Sequence, residues 1–428
     1  MSKVAIIGAG SVVFTKNLVA DLLMYPDIDV EIWLMDIDED RLETAYGLVN
    51  KVSEKLNRKV KVRKTLDRKE ALRDAKYVIN TVQVGGLEAT LVDFDIPEKY
   101  GLKQTIADTH GIGGIFRALR TIPVVLDIAK DIEQLCPKAL MINYSNPMAM
   151  NVWAVYEATK VNVVGLCHSI QGTAHQIASY IGVPYESLRY KAAGINHMCW
   201  FLELEVEGKN AYPMLFEASR RSDIFVKDPV RFTIMRLLGY FVSESSEHMA
   251  EYVPYFLPYE DKIKELKIPV REYVRRVLEA NKIYEENKLI ARGEKELGEL
   301  KVSREYAPKI IHSMETGHRR CIHGNVRNTH LITNLPVGCC VEVPCMVDRN
   351  GIQPTHVGDL PPHLAALDRT QISVQELVVR AVLERKKEYV YYAALLDPLA
   401  TAVMEPDRIV MMVNELFEAH KRYLLYLE

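Results

Sequence analysis

The first 180 residues alternate between short apolar runs and longer stretches in which apolar residues recur every three or four positions. The short runs predict β-strands, and the periodic stretches predict amphipathic helices. The expected strands are residues 3–7, 30–35, 60–64, 77–82, 139–142 and 161–166, and the expected helices include residues 14–23, 39–55 and 115–135. Alternation of this kind is typical of an α/β fold with a doubly wound parallel sheet.

The pattern changes beyond residue 188. Residues 198–206 alternate as in an antiparallel strand, the chain after Pro213 is mainly helical, and residues 374–387 and 408–425 predict amphipathic helices. The highly charged stretch 285–305 predicts a solvated helix end or a mobile loop. We therefore expect two domains, residues 1–190 and residues 191–428. The second is α+β and mainly helical, and we expect it to carry catalytic groups, substrate contacts and an oligomer interface.

Composition narrows the class of protein. Of the 428 residues, 48% are hydrophobic and 26% charged, as in an ordinary globular protein. A formal net charge of −3 gives no basic surface for nucleic acid, and neither a leader-like segment nor a membrane-spanning apolar run is present. The seven cysteines are an odd number without Cys-x-x-Cys spacing, which argues against a disulfide framework. We expect a cytoplasmic protein that acts on a small molecule.

A glycine turn lies between the first predicted strand and the first predicted helix. Gly8, Gly10 and Ser11 form the strand–turn–helix opening of a Rossmann-like dinucleotide fold, in which the backbone approaches a pyrophosphate. Val13 occupies the third glycine position of the usual fingerprint, and tight-turn glycines without a ligand are the alternative. Asp36 ends the second strand, where a carboxylate contacts the adenine ribose and repels the phosphate of NADP. The pattern therefore predicts NAD as the cofactor.

Polar loops follow other strands at the same edge of the sheet. Gln83 lies in a loop that would cross the cofactor face, and Asp108 and His110 precede three glycines within residues 111–114. Those glycines predict backbone placed close to a ligand. Asn146 begins an Asn-Pro sequence that accommodates a cis peptide bond in a tight turn. A plain surface loop and a purely structural turn are the alternatives for residues 83–86 and 146–147.

Two further stretches carry candidate site residues. Arg117 and Arg120 fall in the first turns of the helix expected at 115–135, where one of them would face the site and a solvated helix face is the alternative. Residues 239–255 are polar and aromatic with little apolar periodicity. This pattern favours site lining over core, and a loop that faces a partner is the alternative.

Cys167 and His197 are the candidates for metal ligands. Cys167 follows an apolar run at the carboxyl end of the sixth predicted strand, where ligands bind in an open α/β sheet, and His197 follows another short apolar run. A thiolate and an imidazole that leave coordination positions open describe a catalytic site and not a closed structural one. The alternative is a buried structural cysteine and a histidine that is simply hydrogen-bonded in place.

Several motifs stand in a fixed order along nearly the whole chain. They are Gly8-Ala-Gly10-Ser11, Asn143-Tyr-Ser-Asn146-Pro147, Cys167-His168-Ser169-Ile170, Asn196-His197 and Asn334-Leu-Pro336. In this combination the chain closely resembles glycoside hydrolase family 4, the NAD- and manganese-dependent glycosidases. Cys167-His168-Ser169 and residues 244–254 are similar to the members that act on α-galactosides. The chain departs from the family at Ile112, more often proline, and at His110, so α-galacturonides and α-glucosides stay open as substrates.

The resemblance implies both an architecture and a mechanism. The Rossmann-like domain would be followed by a part similar to the C-terminal part of lactate and malate dehydrogenases. The reaction would not use the usual pair of carboxylates. Instead, NAD oxidises C3 of the sugar, a base removes the acidified C2 proton, the leaving group departs from C1, water adds, and the hydride returns. A divalent metal, Mn²⁺ by the resemblance, would polarise the ketone. Long apolar helices in the later half predict a homodimer or homotetramer.

The resemblance also implies roles for individual residues. Cys167 and His197 would bind the metal, and Tyr252 would be the C2 base, with Tyr255 as the alternative. The first candidates for the leaving-group acid are His168 and Asp108, and His248 is the next choice. Asn146 is expected to contact both the cofactor and the sugar. The remaining candidates for substrate contacts are His110, Arg117, Asn325 and Arg327.

Two other classes of protein are alternatives. A conventional NAD-dependent dehydrogenase would reduce NAD in proportion to product, but such an enzyme uses a His/Asp pair with substrate arginines and needs no metal cysteine. A non-catalytic sensor of NAD or sugar would bind ligand without turnover, and binding alone does not require a metal beside a nicotinamide.

Overall fold

A computed structural model describes residues 1–12 and 14–428, and Val13, the residue at the third glycine position, lies outside the described residues. The strands are β1 (Ser2–Ile7), β2 (Val30–Met35), β3 (Lys61–Thr65), β4 (Tyr77–Asn80), β5 (Leu140–Asn143), β6 (Asn162–Gly165), β7 (Leu188–Ile195), β8 (Met198–Val206), β9 (Lys209–Asn210), β10 (Arg320–Arg327), β11 (Cys340–Asp348) and β12 (Gly351–Pro354). The helices are α1 (Phe14–Leu23), α2 (Glu39–Lys55), α3 (Arg68–Leu72), α4 (Gly86–Lys99), α5 (Gly111–Leu135), α6 (Met148–Ala158), α7 (Ser169–Ile181), α8 (Tyr212–Arg220), α9 (Ser222–Phe225), α10 (Pro229–Leu238), α11 (Ser246–Tyr252), α12 (Glu260–Glu265), α13 (Glu272–Arg292), α14 (Ala307–Thr316), α15 (Pro362–Glu384), α16 (Glu388–Leu396), α17 (Pro398–Val403), α18 (Pro406–Ala419) and α19 (Lys421–Leu424).

Six parallel strands form the first half of the sheet, in the order β3-β2-β1-β4-β5-β6. The chain changes direction across the sheet between β1 and β4, and the carboxyl ends of these two strands flank the crevice where ligands bind in such sheets. This is a Rossmann-like fold, as the alternating pattern predicted. Each expected strand is present, with its ends within two residues of the predicted ones.

The second half of the sheet is antiparallel and continues directly from the first. β10 pairs with β6 at Asn325 and Gly165, β10 pairs with β11, and β11 pairs with β7 at Glu342 and Gly194. β7 and β8 form a hairpin, and residues 198–206 are the antiparallel strand that the pattern predicted. The turn of this hairpin therefore comes close to the end of β6. Because one sheet runs through both halves, the domain boundary at residues 190 and 191 stays a prediction.

Helix α5 begins earlier than the sequence predicted. Residues 111–114 were expected to be a loop close to a ligand, but the helix begins at Gly111. A Cβ atom at Gly113 would lie 2.6 Å from Ala107 Cβ, and one at Gly114 would lie 2.7 Å from the carbonyl carbon of Thr109. These glycines therefore allow the segment 107–109 to pack onto the helix, and backbone close to a ligand at this point stays a prediction.

The two arginines of α5 are not on a solvated face. Arg117 and Arg120 are 7% and 2% exposed. Arg120 forms a buried ion pair with Asp93 of α4 at 2.5 Å, and His420 Nε2 lies 2.9 Å from the same carboxylate. Arg120 therefore joins α4 to the end of the chain, and Arg117 is the one that reaches the site described below.

The charged stretch 285–305 begins as a largely exposed helix end, one of the two possibilities that its composition predicted. α13 continues to Arg292 and packs along α2, with Tyr284, Asn287 and Ile290 buried. Residues 293–306 then return along α1 and α7, which they contact through backbone and side-chain hydrogen bonds. The amphipathic helices expected near residues 374–387 and 408–425 correspond to α15 and to α18 with α19.

None of the helices in residues 1–12 and 14–428 combines the length and the apolar character needed to cross a bilayer. The homodimer or homotetramer expected from the apolar helices of the later half stays a prediction.

Candidate active site

Three side chains from distant parts of the chain meet at the carboxyl end of β6. Cys167 Sγ lies 3.2 Å from His197 Nε2 and 3.9 Å from Glu244 Oε2, and the last two atoms are 3.8 Å apart. Cys167 follows β6, His197 lies in the β7–β8 turn, and Glu244 precedes α11. A thiol, an imidazole and a carboxylate at this spacing form a group suited to one divalent cation. The sequence predicted the first two residues as a pair and missed the third.

The backbone of this group is unusual at two of its three positions. His197 has a φ of 65° and Glu244 has a φ of 79°, in the left-handed region that residues other than glycine rarely adopt. Strained backbone collects at functional sites, where the surrounding structure holds it in place. The conformation of both residues therefore supports a functional reading of the group.

The electrostatics of the group also fit a cation. The ion-pair partners of Glu244 are His197 and His248, at 3.8 and 3.9 Å. Burial opposes ionisation of Glu244, but these histidines hold the pKa of its carboxyl down to about 2. Burial, together with Glu244, raises the pKa of the Cys167 thiol well above its ordinary value. A divalent cation would compensate the buried carboxylate and favour the thiolate, so the donor set fits a metal ion.

Asp108 extends the cluster on the other side of His197. Ligand atoms of Asp108, His197 and His248 lie within 4.8 Å of one another. Although burial opposes it, Arg117 and the two histidines lower the pKa of Asp108 below its ordinary value, so it is ionised at neutral pH. Burial lowers the pKa of His248 to about 4, which leaves this imidazole neutral. An ionised Asp108 suits a cation ligand or a base better than the leaving-group acid.

Tyr252 lies in the centre of the buried cluster. Its hydroxyl is 3.3 Å from His197 Nδ1, and Thr109 Oγ1 is 3.1 Å from the same nitrogen. The His110 ring meets the Tyr252 ring edge-on at 4.4 Å, and His110 Nε2 lies 3.3 Å from Asn196 O. Burial raises the pKa of Tyr252 well above its ordinary value and lowers that of His110 to about 3. His110 is therefore a neutral ring that packs against the candidate base.

Asn146 contacts both Asp108 and Arg117. Asn146 Nδ2 donates to Asp108 Oδ2 at 3.1 Å, and Arg117 Nε donates to Asn146 O at 3.4 Å. Arg117 Nη1 also donates to Tyr273 OH at 3.0 Å. The Asn146–Pro147 peptide bond is cis, as the sequence allowed. Three of the predicted site residues thus form one connected group beside the histidines.

His168 and Tyr255 lie at the periphery. The His168 side chain is 57% exposed, and its Nδ1 is 3.5 Å from Glu305 Oε1. Glu305 raises the pKa of His168 to about 8, so the imidazole carries a proton at neutral pH. Tyr255 is 44% exposed, whereas Tyr252 is buried, so the geometry favours Tyr252 of these two tyrosines.

The two predicted residues of β10 have different surroundings. Asn325 is buried, and its Nδ2 donates to Gly165 O at 3.3 Å, close to Cys167. Arg327 is exposed and forms an ion pair with Glu157 at 3.0 Å. Because β10 runs antiparallel to β6, residues after Asn325 lie towards the amino end of β6 and away from Cys167. The structure therefore does not bring Arg327 to the cluster.

The glycine turn has the close backbone packing that a dinucleotide requires. Gly8 has a φ of 83°, and a Cβ atom at Gly10 would lie 2.8 Å from Asp36 Oδ2 and 2.6 Å from Arg41 Cβ. The Gly10 N–H donates to Asp36 Oδ2 at 2.7 Å. A side chain at either glycine would disturb the turn, so the residues present fit a pyrophosphate at the start of α1.

The other predicted cofactor contacts border the same crevice. Ser11 Oγ accepts from Phe14 N at 3.3 Å at the start of α1. Gln83 is exposed in the loop after β4, beside the end of β1. Both positions are therefore open to a ligand at the carboxyl ends of β1 and β4.

Glu251 is a second residue that the sequence analysis missed. This residue is 2% exposed, and its carboxylate accepts hydrogen bonds from the backbone N–H groups of Thr105, Ile106 and Ala107 at 2.9, 3.1 and 3.0 Å. Ala107 has a φ of 54°, so the loop that leads to Asp108 is held in a strained conformation. The polar composition of residues 239–255 was a signal for this region, but it did not single out Glu244 or Glu251.

Comparisons with known proteins agree with the motifs. A model described as "Family 4 glycosyl hydrolase" matches residues 3–183, and "Family 4 glycosyl hydrolase C-terminal domain" matches residues 192–400. An α-galactosidase of Bacillus subtilis (strain 168) is 44% identical, over 99% of this chain and 99% of its own length. An α-galactosidase of Rhizobium meliloti (strain 1021) is 36% identical, over 99% and 89%. A 6-phospho-α-glucosidase from gut microorganisms, solved in complex with NAD and Mn²⁺, has the same fold, with a TM-score of 0.84 at 20% identity over 100% of both chains.

The family match defines an enzyme that cleaves glycosidic bonds, built on a Rossmann-like fold. The chain belongs to the family 4 glycosyl hydrolases, as its motifs predicted, and its relatives support hydrolysis of α-glycosides.

Proposed function

We propose that this chain hydrolyses α-galactosides, using NAD and a divalent metal such as Mn²⁺ in a sequence of oxidation, elimination, addition and reduction. One observation carries the proposal: Cys167, His197 and Glu244 converge in a chain that is 44% identical over its length to an α-galactosidase. The 6-phospho-α-glucosidase that shares the fold was solved with NAD and Mn²⁺. The glycine turn and the cysteine–histidine–glutamate group of this chain fit the same two cofactors.

The residues of this chain would hold both cofactors beside the sugar. Gly8, Gly10 and Asp36 would bind the dinucleotide, and Cys167 and His197 would bind the metal, with Glu244 added to the predicted pair. When bound, NAD exchanges a hydride with C3 of the sugar, and the metal polarises the oxygens at C2 and C3 and favours an ionised tyrosine nearby.

Tyr252 is the proposed base for the C2 proton. It is buried, and its hydroxyl lies beside His197 Nδ1, close to the proposed metal site. His168 is the proposed leaving-group acid, because Glu305 keeps it protonated at the exposed rim where an aglycone would depart. Asn146 and Arg117 would contact sugar hydroxyls from the side of Asp108.

A substrate panel tests the proposal. It contains α- and β-linked galactosides, glucosides and galacturonides, each assayed with NAD and Mn²⁺ and with either one omitted. We expect hydrolysis of α-galactosides that is lost when either cofactor is removed. NADH should not accumulate, because the hydride returns, whereas a dehydrogenase would form NADH in proportion to product. Full activity after both cofactors are removed would contradict the proposal.

Variants of Tyr252 and Cys167 test the proposed base and the proposed metal ligand separately. Tyr252→Phe should lower kcat by roughly 10²–10⁴-fold, because it removes the proton acceptor and keeps the ring. Deuterium at C2 or C3 of the substrate should slow the wild-type enzyme if elimination follows oxidation. Cys167→Ser should abolish activity at low Mn²⁺, and Cys321→Ser, which alters an exposed cysteine, is its matched control.

A further inference from the structure

Helix α13 contacts the glycine turn from outside the Rossmann-like half of the sheet. Asn287 is 3% exposed, and its Nδ2 donates to Val12 O at 3.3 Å. Tyr284, on the preceding turn of the helix, places its ring 4.6 Å from the Arg41 guanidinium. Arg41 Nη1 in turn donates to Gly10 O at 3.4 Å. α13 therefore reaches two carbonyl groups of the turn, one directly and one through Arg41.

The carbonyl groups of this turn must point away from a bound phosphate, so that N–H groups face it. Two of them are held within the strand–turn–helix unit: Gly8 O accepts from Ser11 N at 3.1 Å, and Ala9 O accepts from Thr15 Oγ1 at 2.7 Å. The two described above, at residues 10 and 12, receive their donors from α2 and α13. The strand–turn–helix unit thus relies on α13 for part of its own geometry.

Specific contacts fix α13 against α2. Tyr284 OH and Lys288 Nζ each lie 2.8 Å from Asp40 Oδ2. A Cβ atom at Gly47 would come within 2.8 Å of Ala291 Cβ, so the two helices cross closely at this glycine. The helix therefore presents Asn287 to the turn in a defined position.

The other end of α13 lies at the sugar side of the site. Tyr273, in its first turn, accepts a hydrogen bond from Arg117 at 3.0 Å, and its backbone N–H donates to Thr105 O at 3.0 Å. One helix thus extends from the group around Asp108 to the phosphate-binding turn.

We propose that α13 is the outer wall of the dinucleotide site, where Asn287 and Tyr284 are positioning residues that set the affinity and release rate of NAD. The inference rests on the proposed NAD dependence. In the proposed reaction the hydride returns to the sugar, so NAD need not leave between turnovers, and slow release is compatible with catalysis. A dehydrogenase must exchange its cofactor in every cycle and gains nothing from such a wall.

Dinucleotide binding by the full chain tests the inference without any sugar. NADH affinity is measured by fluorescence titration, and NADH release by stopped-flow displacement with excess NAD. Asn287→Ala removes the side chain, and Asn287→Leu replaces it by an apolar one of similar size. Each should weaken NADH affinity and speed NADH release about three- to tenfold, the loss expected for one hydrogen bond. Asn281→Ala is the matched control, since this exposed asparagine lies on the same helix. It should behave as wild type.

A second pair of variants separates the ring of Tyr284 from its hydroxyl. Tyr284→Phe keeps the ring that packs on Arg41, and Lys288 still holds Asp40, so this variant should bind NADH nearly as wild type does, whereas Tyr284→Ala should release it faster. Melting temperatures without cofactor identify any variant that fails to fold. NADH affinity and release are then compared only among the folded variants. Wild-type affinity and release in folded Asn287→Leu and Tyr284→Ala would overturn the inference and leave the proposed function standing. Absence of NADH binding in the wild type would instead overturn the proposed cofactor.

Discussion

The three residues proposed to hold the metal differ in how their backbone is fixed. Cys167 follows a parallel strand, whereas His197 and Glu244 occupy left-handed conformations. Each such conformation costs on the order of 1–3 kcal/mol, which neighbouring structure must offset. For His197 that structure is the β7–β8 hairpin. For Glu244 it is an isolated bridge between Val242 and Trp200 of β8.

Replacing Glu244 by Gln tests whether its carboxylate is a metal ligand. The change keeps the size of the side chain and removes its charge. We expect Mn²⁺ affinity to fall about 10- to 100-fold, equivalent to roughly 1.4–2.8 kcal/mol, because an anionic ligand is lost. Isothermal titration calorimetry measures the affinity directly. Glu247→Gln, in the first turn of α11, is the control, and equal affinity of Glu244→Gln and wild type would exclude Glu244 from the site.

Cys167 and His197 were predictable from the sequence and Glu244 was not, for a physical reason. Cys167 and His197 each follow an apolar run, and the carboxyl ends of strands in an open α/β sheet are where ligands bind. Glu244 follows no predicted strand. Its position depends on the pairing of Val242 with a strand some forty residues earlier in the chain, and nothing in the local pattern encodes that pairing. Arg327 shows the opposite case, a candidate whose strand direction carries it away from the cluster.

At the scale of elements, the Glu251 carboxylate joins α11 to the loop before Asp108 through hydrogen bonds from backbone N–H groups. Glu251→Gln leaves one carbonyl oxygen and places an N–H₂ group against backbone N–H donors. We expect the free energy of unfolding to fall by about 1–3 kcal/mol, because buried donors lose their acceptor. Activity should also fall, because Asp108 and Tyr252 lose their common anchor. Urea unfolding and steady-state kinetics measure the two effects. Glu247→Gln serves again as control, and unchanged stability and kcat would show that the contact is dispensable.

Helix α17 begins at a carboxylate whose ionisation opposes folding. Asp397 caps this helix by accepting from Ala400 N at 2.7 Å, and burial raises its pKa to about 6. Between about pH 4 and 6 the folded state keeps a proton that the unfolded state has lost, so this residue's contribution to stability falls as the pH rises through that window.

Asp397→Asn keeps the cap and removes the titration. Relative to wild type, the variant should therefore gain free energy of unfolding between pH 4.5 and 7, by up to about 3 kcal/mol for a shift of this size. Urea unfolding across that pH range measures the difference. Asp407→Asn changes an exposed aspartate in the first turn of α18, and no such pH-dependent gain is expected there. A constant difference between Asp397→Asn and wild type would contradict the prediction.

The elements themselves were largely predictable, and the exceptions share a cause. Apolar runs located the parallel strands, because the central ones, such as β4 and β5, are buried on both faces. The start of α5 was predicted four residues too late, because its glycines allow contact with residues 107–109 and do not end the helix. The stretch 285–305 begins as a largely exposed helix end, as expected, but its composition did not predict that Asn287 and Ile290 of this helix are buried. In both cases the tertiary contact left no signal in the local pattern.

At the scale of the whole molecule, the site exists because the sheet continues past β6. β10 and β11 lie between β6 and β7, so residues that are far apart in sequence become neighbours in space. Pairings of such long sequence separation leave no periodic signal, so the sequence placed Cys167 at the end of the sixth parallel strand without indicating which strand lies beside it. The order of the antiparallel half, and with it the meeting of Cys167 with the β7–β8 turn, required the structure.

A cation bound by three distant segments should stabilise the entire fold. At a free Mn²⁺ concentration one hundred times its dissociation constant, the free energy of unfolding should rise by about 2.7 kcal/mol, because the ligands converge only in the folded chain. Differential scanning fluorimetry with Mn²⁺, and again after a chelator, measures the shift in melting temperature. Cys167→Ser should lose most of the shift, while Cys321→Ser should keep it, because Cys321 lies outside the cluster. An equal shift in Cys167→Ser and wild type would place the stabilising cation elsewhere in the molecule and remove the metal from the proposed mechanism.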